Sequence, residues 1–134
     1  MTYDWIDYLD ISKEIINTNL KQSENGARKE TLLRIAISRA YYAAFHKCRD
    51  YLESYGDRLD RKSVHRDLID KIDNHIQNSN GKMISLELER AFHSRIRADY
   101  DDVFNGINKE SQITIERVKK IISEISSRNV GPHR

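Results

Sequence analysis

Apolar residues spaced three and four positions apart along one stretch constrain the fold of this chain more than any other feature. The stripe that they form consists of Leu33, Ile37, Ala40, Tyr41, Ala44, Cys48 and Leu52. At about 100° per residue these positions fall on one side of a helix, which is the pattern of a core-facing surface. The sequence therefore predicts a long central helix over about residues 28–55, with Gly56 in the left-handed conformation after its end.

Helical spacing recurs on both sides of this central helix, and no stretch alternates with a period of two over a useful length. The Asn- and Ser-rich run 77–82 is predicted to be a loop. The other predicted helices cover about residues 3–22, a segment capped by Ser63, a segment capped by Ser85 that stops near the aspartates at 99–102, and a segment from about Lys109. The fold class is therefore all-α, an up-and-down bundle of four to five helices. One domain over residues 1–128 and a disordered tail over 129–134 complete the prediction.

Composition and the N-terminal sequence bear on the cellular compartment and on the partners of the protein. The single cysteine, Cys48, lies on the apolar stripe and is predicted to be a buried free thiol in a reducing compartment. The N-terminal residues lack a signal-peptide pattern, and no apolar run is long enough to span a membrane. These features predict a cytoplasmic protein with no membrane association. A formal net charge of +2 is too small to indicate nucleic-acid binding by itself, so that argument depends on where the arginines lie.

The side of the central helix opposite the stripe carries an unusual set of residues. These are Ile35, Arg39, Tyr42, His46 and Arg49, spaced at helical intervals. Arg39 and His46 lie two turns apart on this face, and together they could hold a phosphodiester, with Arg39 neutralising the phosphate and His46 moving a proton. Metal-independent RNA cleavage needs little more, because the 2′-OH supplies the nucleophile. The alternative is that both are surface or interface residues and that Tyr42 packs against a neighbouring helix.

A second polar segment lies at residues 95–102. Arg95 and Asp99 are four residues apart, and so are Arg97 and Asp101. These pairs are typical of salt bridges at the end of a helix. The more specific interpretation is that Asp99 orients an arginine, Arg95 or Arg39, in a polar cluster where the fourth helix meets the central one.

The histidines and other potential metal ligands do not form a recognisable metal-binding or catalytic motif. His65 and His75 do not share a helix face and are predicted to be surface residues. No Cys pair, HExxH motif, Gly-rich phosphate loop or GxSxG elbow occurs, so no metal and no cofactor is predicted.

The two polar segments together resemble a known family. SRAYYAAFH at residues 38–46 and RIRADYD at residues 95–101 are similar to paired signatures of the HEPN superfamily, in its small prokaryotic branch. The resemblance covers about residues 10–126. It implies a helical bundle, commonly dimeric, that works in RNA metabolism, toxin–antitoxin pairs or antiviral defence, often beside a small nucleotidyltransferase. Many HEPN proteins are metal-independent endoribonucleases with an Arg, four to six residues and a His; here Arg95 matches the Arg and Tyr100 stands at the position of the His.

Three hypotheses remain open from the sequence. In the first, the chain is a metal-independent endoribonuclease. Its candidate catalytic residues are Arg95, His46 and Tyr100, and its candidate substrate-binding residues are Arg39, Tyr42, Arg97 and Asp99. In the second, the same cluster belongs to a non-catalytic module that binds a nucleotide or docks a nucleotidyltransferase or antitoxin partner. In the third, the cluster fixes helix register in a homodimer or higher homo-oligomer.

Overall fold

The computed structural model describes residues 3–20, 26–128 and 131–132. This part of the chain contains five helices and no strand, which confirms the prediction of an all-α bundle. The helices are α1 (Ile6–Leu20), α2 (Ala27–Ser54), α3 (Val64–His75), α4 (Ser79–Tyr100) and α5 (Ile107–Ser126).

The long helix α2 is the centre of the bundle and contacts each of the other four helices. Every residue of the predicted apolar stripe is buried, and Leu33, Ile37 and Leu52 have no exposed surface at all. Gly56 follows the last turn of α2 with φ of 90°, a left-handed conformation that glycine adopts without steric cost, as predicted.

The start of α4 differs from the prediction. Of the predicted loop 77–82 only residues 77 and 78 lie outside a helix, because α4 begins at Ser79. Asn78 caps α4 by accepting hydrogen bonds from the backbone amides of Asn80 and Gly81 at 2.9 and 3.3 Å. Gly81 is required here, because an added Cβ would lie 1.8 Å from the carbonyl oxygen of Ile76. The predicted cap at Ser85 is also wrong, since that residue lies inside the helix. Asn and Gly, residues typical of loops, serve here as a cap and as a point of close backbone approach.

The helix directions place α3 in an unexpected position. His65, near the start of α3, contacts Tyr41, and His75, at its end, contacts Tyr51, so α2 and α3 run parallel. Residues 55–63 run back along the bundle and connect α2 to α3. Within this connection the backbone amide of Asp60 donates a hydrogen bond to the carboxylate of Asp67 at 2.7 Å. The α3–α4, α4–α5 and α1–α2 pairs are antiparallel. This return places the start of α3 beside the middle of α2.

Three further predictions concern Cys48, the tail over residues 129–134 and membrane-spanning helices. Cys48 is buried and free, as predicted, and burial raises the pKa of its thiol. Of the predicted disordered tail, 129–134, only Gly131 and Pro132 are described, and the buried Gly131 amide donates to the Ser54 hydroxyl at 2.8 Å. Among the described residues, no helix has both the length and the apolar character needed to cross a membrane.

Candidate functional site

The side chain of Arg95, on α4, lies against α2 at the edge of the core. Only 7% of this residue is exposed. Its Nη1 donates to Asp99 Oδ2 at 3.3 Å, and the same oxygen accepts a hydrogen bond from the Ser38 hydroxyl at 3.4 Å. The predicted pairing of Arg95 with Asp99 is therefore formed, and α2 helps to hold the carboxylate.

Three aromatic rings surround the Arg95 guanidinium. Its Cζ lies 5.8 Å from the ring centre of Tyr41, 5.5 Å from that of Tyr42 and 5.3 Å from that of Phe92. These distances lie within the range of cation–π attraction, which stabilises a charge removed from water. We use the name Arg95 cluster for Ser38, Tyr41, Tyr42, His65, Phe92, Arg95 and Asp99.

The guanidinium has more donors than the surrounding protein satisfies. Arginine carries five N–H groups. Within the described part of the chain, Nη1 reaches Asp99 and the buried Nε has no hydrogen-bond partner. The Asp99 side chain is 31% exposed, so the cluster opens to solvent at the carboxylate. Because Nε is itself buried, an anion that enters the cluster would meet the terminal nitrogens of this cation.

His65 belongs to this cluster, although its sequence position predicts a surface histidine. It is half-buried, its ring stacks on Phe92 with the centres 4.9 Å apart, and its Nδ1 lies 2.7 Å from the Tyr41 hydroxyl. Burial, and next the charge of Arg95, lower the pKa of His65. The available signal was its spacing, because His65 precedes Leu68 by three positions and Ile72 by seven, on the apolar side of α3.

Arg39 and His46 lie on α2 but face α1 and the residues just before it. The Arg39 guanidinium is 5.4 Å from the ring centre of Tyr8. The His46 ring stacks on Trp5, with the centres 3.5 Å apart, and its buried Nδ1 has no hydrogen-bond partner among the described residues. Burial, reinforced by Arg49, lowers the pKa of His46 to about 4. The side of α2 opposite the apolar stripe thus packs in part against α1 and against the residues that precede α1.

The end of α4 carries Arg97 and Tyr100. The Nε of Arg97 lies 3.7 Å from Asp101 Oδ2, which is the second predicted pair, and its Cζ is 4.1 Å above the ring of Phe104. Tyr100 is 73% exposed. From α2, Arg34 donates to three carbonyl oxygens at this helix end, those of residues 97, 98 and 102, at 3.3, 3.0 and 3.3 Å.

The predicted site residues therefore divide into three locations. Arg95, Asp99 and Tyr42 meet in one cluster. Arg39 and His46 contact α1 and the residues before it, and Arg97 and Tyr100 lie at the outer end of α4. No group of three or more His, Cys, Asp or Glu side chains suited to a metal ion occurs in the described ranges.

These features define an all-α bundle with a buried arginine between its central helix and a second, antiparallel helix. The family model of the HEPN domain matches residues 11–128, so the chain belongs to the HEPN family. HEPN domains are generally associated with RNA-related or nuclease functions, and they often form dimers and bind RNA. Searches among curated proteins and among solved structures found no significant match.

Proposed function

We propose that this HEPN domain binds single-stranded RNA at the Arg95 cluster, as part of a prokaryotic toxin–antitoxin or antiviral defence module. Membership of the HEPN family supports an RNA-related role. The similarity of residues 38–46 and 95–101 to signatures of the small prokaryotic branch supports the cellular setting. In such a module the chain acts as a homodimer beside an antitoxin or nucleotidyltransferase partner.

The observation that carries this proposal is the incomplete satisfaction of the Arg95 guanidinium. Only 7% of Arg95 is exposed, and a buried charge is costly unless it is paired and hydrogen-bonded. Asp99 accepts a hydrogen bond from one terminal nitrogen of Arg95 at 3.3 Å, which is long for a charge-assisted hydrogen bond. A phosphate oxygen at the terminal nitrogens would complete the pairing, and the half-buried Tyr42 ring offers a base a stacking surface beside it.

The geometry favours binding over cleavage by the predicted catalytic set. Cleavage by this set requires Arg95 and a residue that moves a proton, either His46 or Tyr100, at one phosphodiester. His46 is stacked on Trp5, and Tyr100 lies outside the cluster.

The test is binding of a short fluorescent single-stranded RNA, measured by anisotropy in buffer that contains EDTA. Arg95→Gln removes the charge, and we expect it to weaken binding at least about tenfold, since a hydrogen bond to a charged group is worth about 1.5–3 kcal/mol. Lys82→Gln is the matched control. It changes net charge equally, and its position lies about 20 Å away along α4 at 1.5 Å per residue.

A second variant separates RNA binding from a purely structural role. Asp99→Asn removes the competing carboxylate charge, so we expect RNA to bind several-fold more tightly even where thermal unfolding shows lower stability. If Asp99 only stabilises the fold, the variant will lose stability without a gain in affinity. Gel electrophoresis of the same samples tests cleavage; RNA degraded in EDTA by the wild type, but not by folded Arg95→Gln, would favour the endoribonuclease hypothesis instead.

A further inference from the structure

Arg95 and His65 come from different helices but contact the same three aromatic rings. The ring centre of His65 lies 5.5 Å from that of Tyr41, 6.0 Å from that of Tyr42 and 4.9 Å from that of Phe92. Each of these rings is also within 6 Å of the Arg95 Cζ. The parallel course of α2 and α3 thus brings a histidine to the arginine that the RIRADYD segment supplies.

The Tyr41 hydroxyl determines which nitrogen of His65 carries the hydrogen. Tyr41 has no exposed surface, and burial raises its pKa, so the hydroxyl stays protonated and must donate to an acceptor. The nitrogen 2.7 Å away is Nδ1 of His65. If Nδ1 carried the hydrogen, the hydroxyl proton would lack this acceptor in the core. The neutral ring is therefore held with its hydrogen on Nε2.

We infer that His65 is a second phosphate-binding residue of this site, whose Nε2–H donates to a phosphate oxygen of the RNA that Arg95 neutralises. This inference rests on the RNA-binding function proposed above. Arg95 contributes charge, whereas a neutral imidazole contributes a directional hydrogen bond and no charge. Burial, and next the Arg95 charge, favour the neutral form of His65, since both lower its pKa.

Two substitutions of His65 separate its two nitrogens. The amide of an Asn can accept from the Tyr41 hydroxyl at the position of Nδ1, but it does not reach the position of Nε2. The amide nitrogen of a Gln can reach the position of Nε2 and keep a donor there. We therefore expect His65→Asn to weaken binding of the single-stranded RNA about fivefold, and His65→Gln to stay within about twofold of the wild type.

Nuclear magnetic resonance of the imidazole nitrogens tests the same inference without a substitution. In the wild type we expect the hydrogen on Nε2 of His65, and we expect the Nε2 resonance to shift when the RNA is added. In Tyr41→Phe the hydroxyl is absent, so the ring should sample both tautomers. A merely structural histidine would show the same tautomer but no response of Nε2 to RNA.

The outcomes distinguish this inference from the proposed function. If Arg95→Gln weakens RNA binding while folded His65→Asn binds as the wild type does, His65 is not a phosphate contact and the RNA-binding site stands without it. A hydrogen on Nδ1, or no shift of Nε2 on saturation with RNA, would also overturn the inference. Failure of the wild type to bind RNA would overturn both proposals.

Discussion

The stacking of His46 on Trp5 links the acidity of the solution to the stability of the fold. In the folded chain the pKa of His46 is lowered to about 4, whereas an unfolded histidine titrates at about 6.5. Between these values the unfolded state binds a proton that the folded state does not, so the free energy of unfolding falls as the pH is lowered from 7 towards 4. We expect urea denaturation to show this decrease, and His46→Gln to reduce it.

His93→Gln is the control for this measurement, because the His93 side chain is 65% exposed. It should leave the decrease of stability between pH 7 and pH 4 close to that of the wild type. Part of the decrease should survive in His46→Gln, since the pKa of His65 is lowered as well. An undiminished decrease in His46→Gln would mean that burial against Trp5 does not control the titration of His46.

Adjacent tyrosines illustrate which side-chain positions the sequence could predict. The helical period places Tyr41 on the apolar stripe, and the residue is buried, as predicted. Its hydroxyl is bonded to His65. Tyr42, the next residue, is half-buried and borders Arg95. Periodicity separates these two positions, but it does not identify the helix that each one meets.

The connection between α2 and α3 explains why His65 was missed. In a simple up-and-down order, the start of α3 would lie beside the end of α2, far from Tyr41. The segment 55–63 instead returns along the bundle and makes α2 and α3 parallel. The length and charge of such a connector do not predict the path that it takes. That path depends on contacts that form only in the folded chain, such as the hydrogen bond from the Asp60 backbone amide to the Asp67 carboxylate.

Two helix starts should respond differently to the loss of their capping side chains. The Asn78 side chain accepts hydrogen bonds from two backbone amides at the start of α4. The Ser63 side chain occupies the same position before α3 but makes no capping hydrogen bond. We therefore expect Asn78→Ala to lower the free energy of unfolding by about 1 kcal/mol and Ser63→Ala to change it by only a few tenths.

Urea denaturation of both variants measures this difference. Equal losses would show that the two caps contribute alike and would contradict the hydrogen-bond assignment at Asn78. The same pair also tests the corrected start of α4, because Asn78 would have little effect as a loop residue remote from a helix that began at Ser85.

Across the molecule, the sequence predicted the bundle more fully than the site. The α2 stripe and the Arg95–Asp99 pair follow from spacing within single helices, so both could be predicted. The separation of Arg39 and His46 from Arg95 depends on how α1 packs against α2, which brings Tyr8 and Trp5 onto that face. Packing between helices is set by long-range contacts, and one sequence constrains these only weakly.

The low net charge of the molecule makes the salt dependence of RNA binding a sensitive test of the Arg95 cluster. At +2 the whole chain attracts RNA weakly, so local contacts should supply most of the affinity. Each phosphate neutralised on single-stranded RNA contributes about 0.7 to the slope of log affinity against log salt concentration. We expect Arg95→Gln to make this slope shallower by about that amount.

His65→Asn should weaken binding without changing the slope, because it removes a neutral donor. Lys82→Gln, with its distant charge, should change neither the affinity nor the slope. Anisotropy titrations over a series of KCl concentrations measure all three variants with one RNA. An unchanged slope in Arg95→Gln would show that Arg95 does not neutralise a phosphate, whereas a shallower slope in Lys82→Gln would place the RNA along the opposite part of α4.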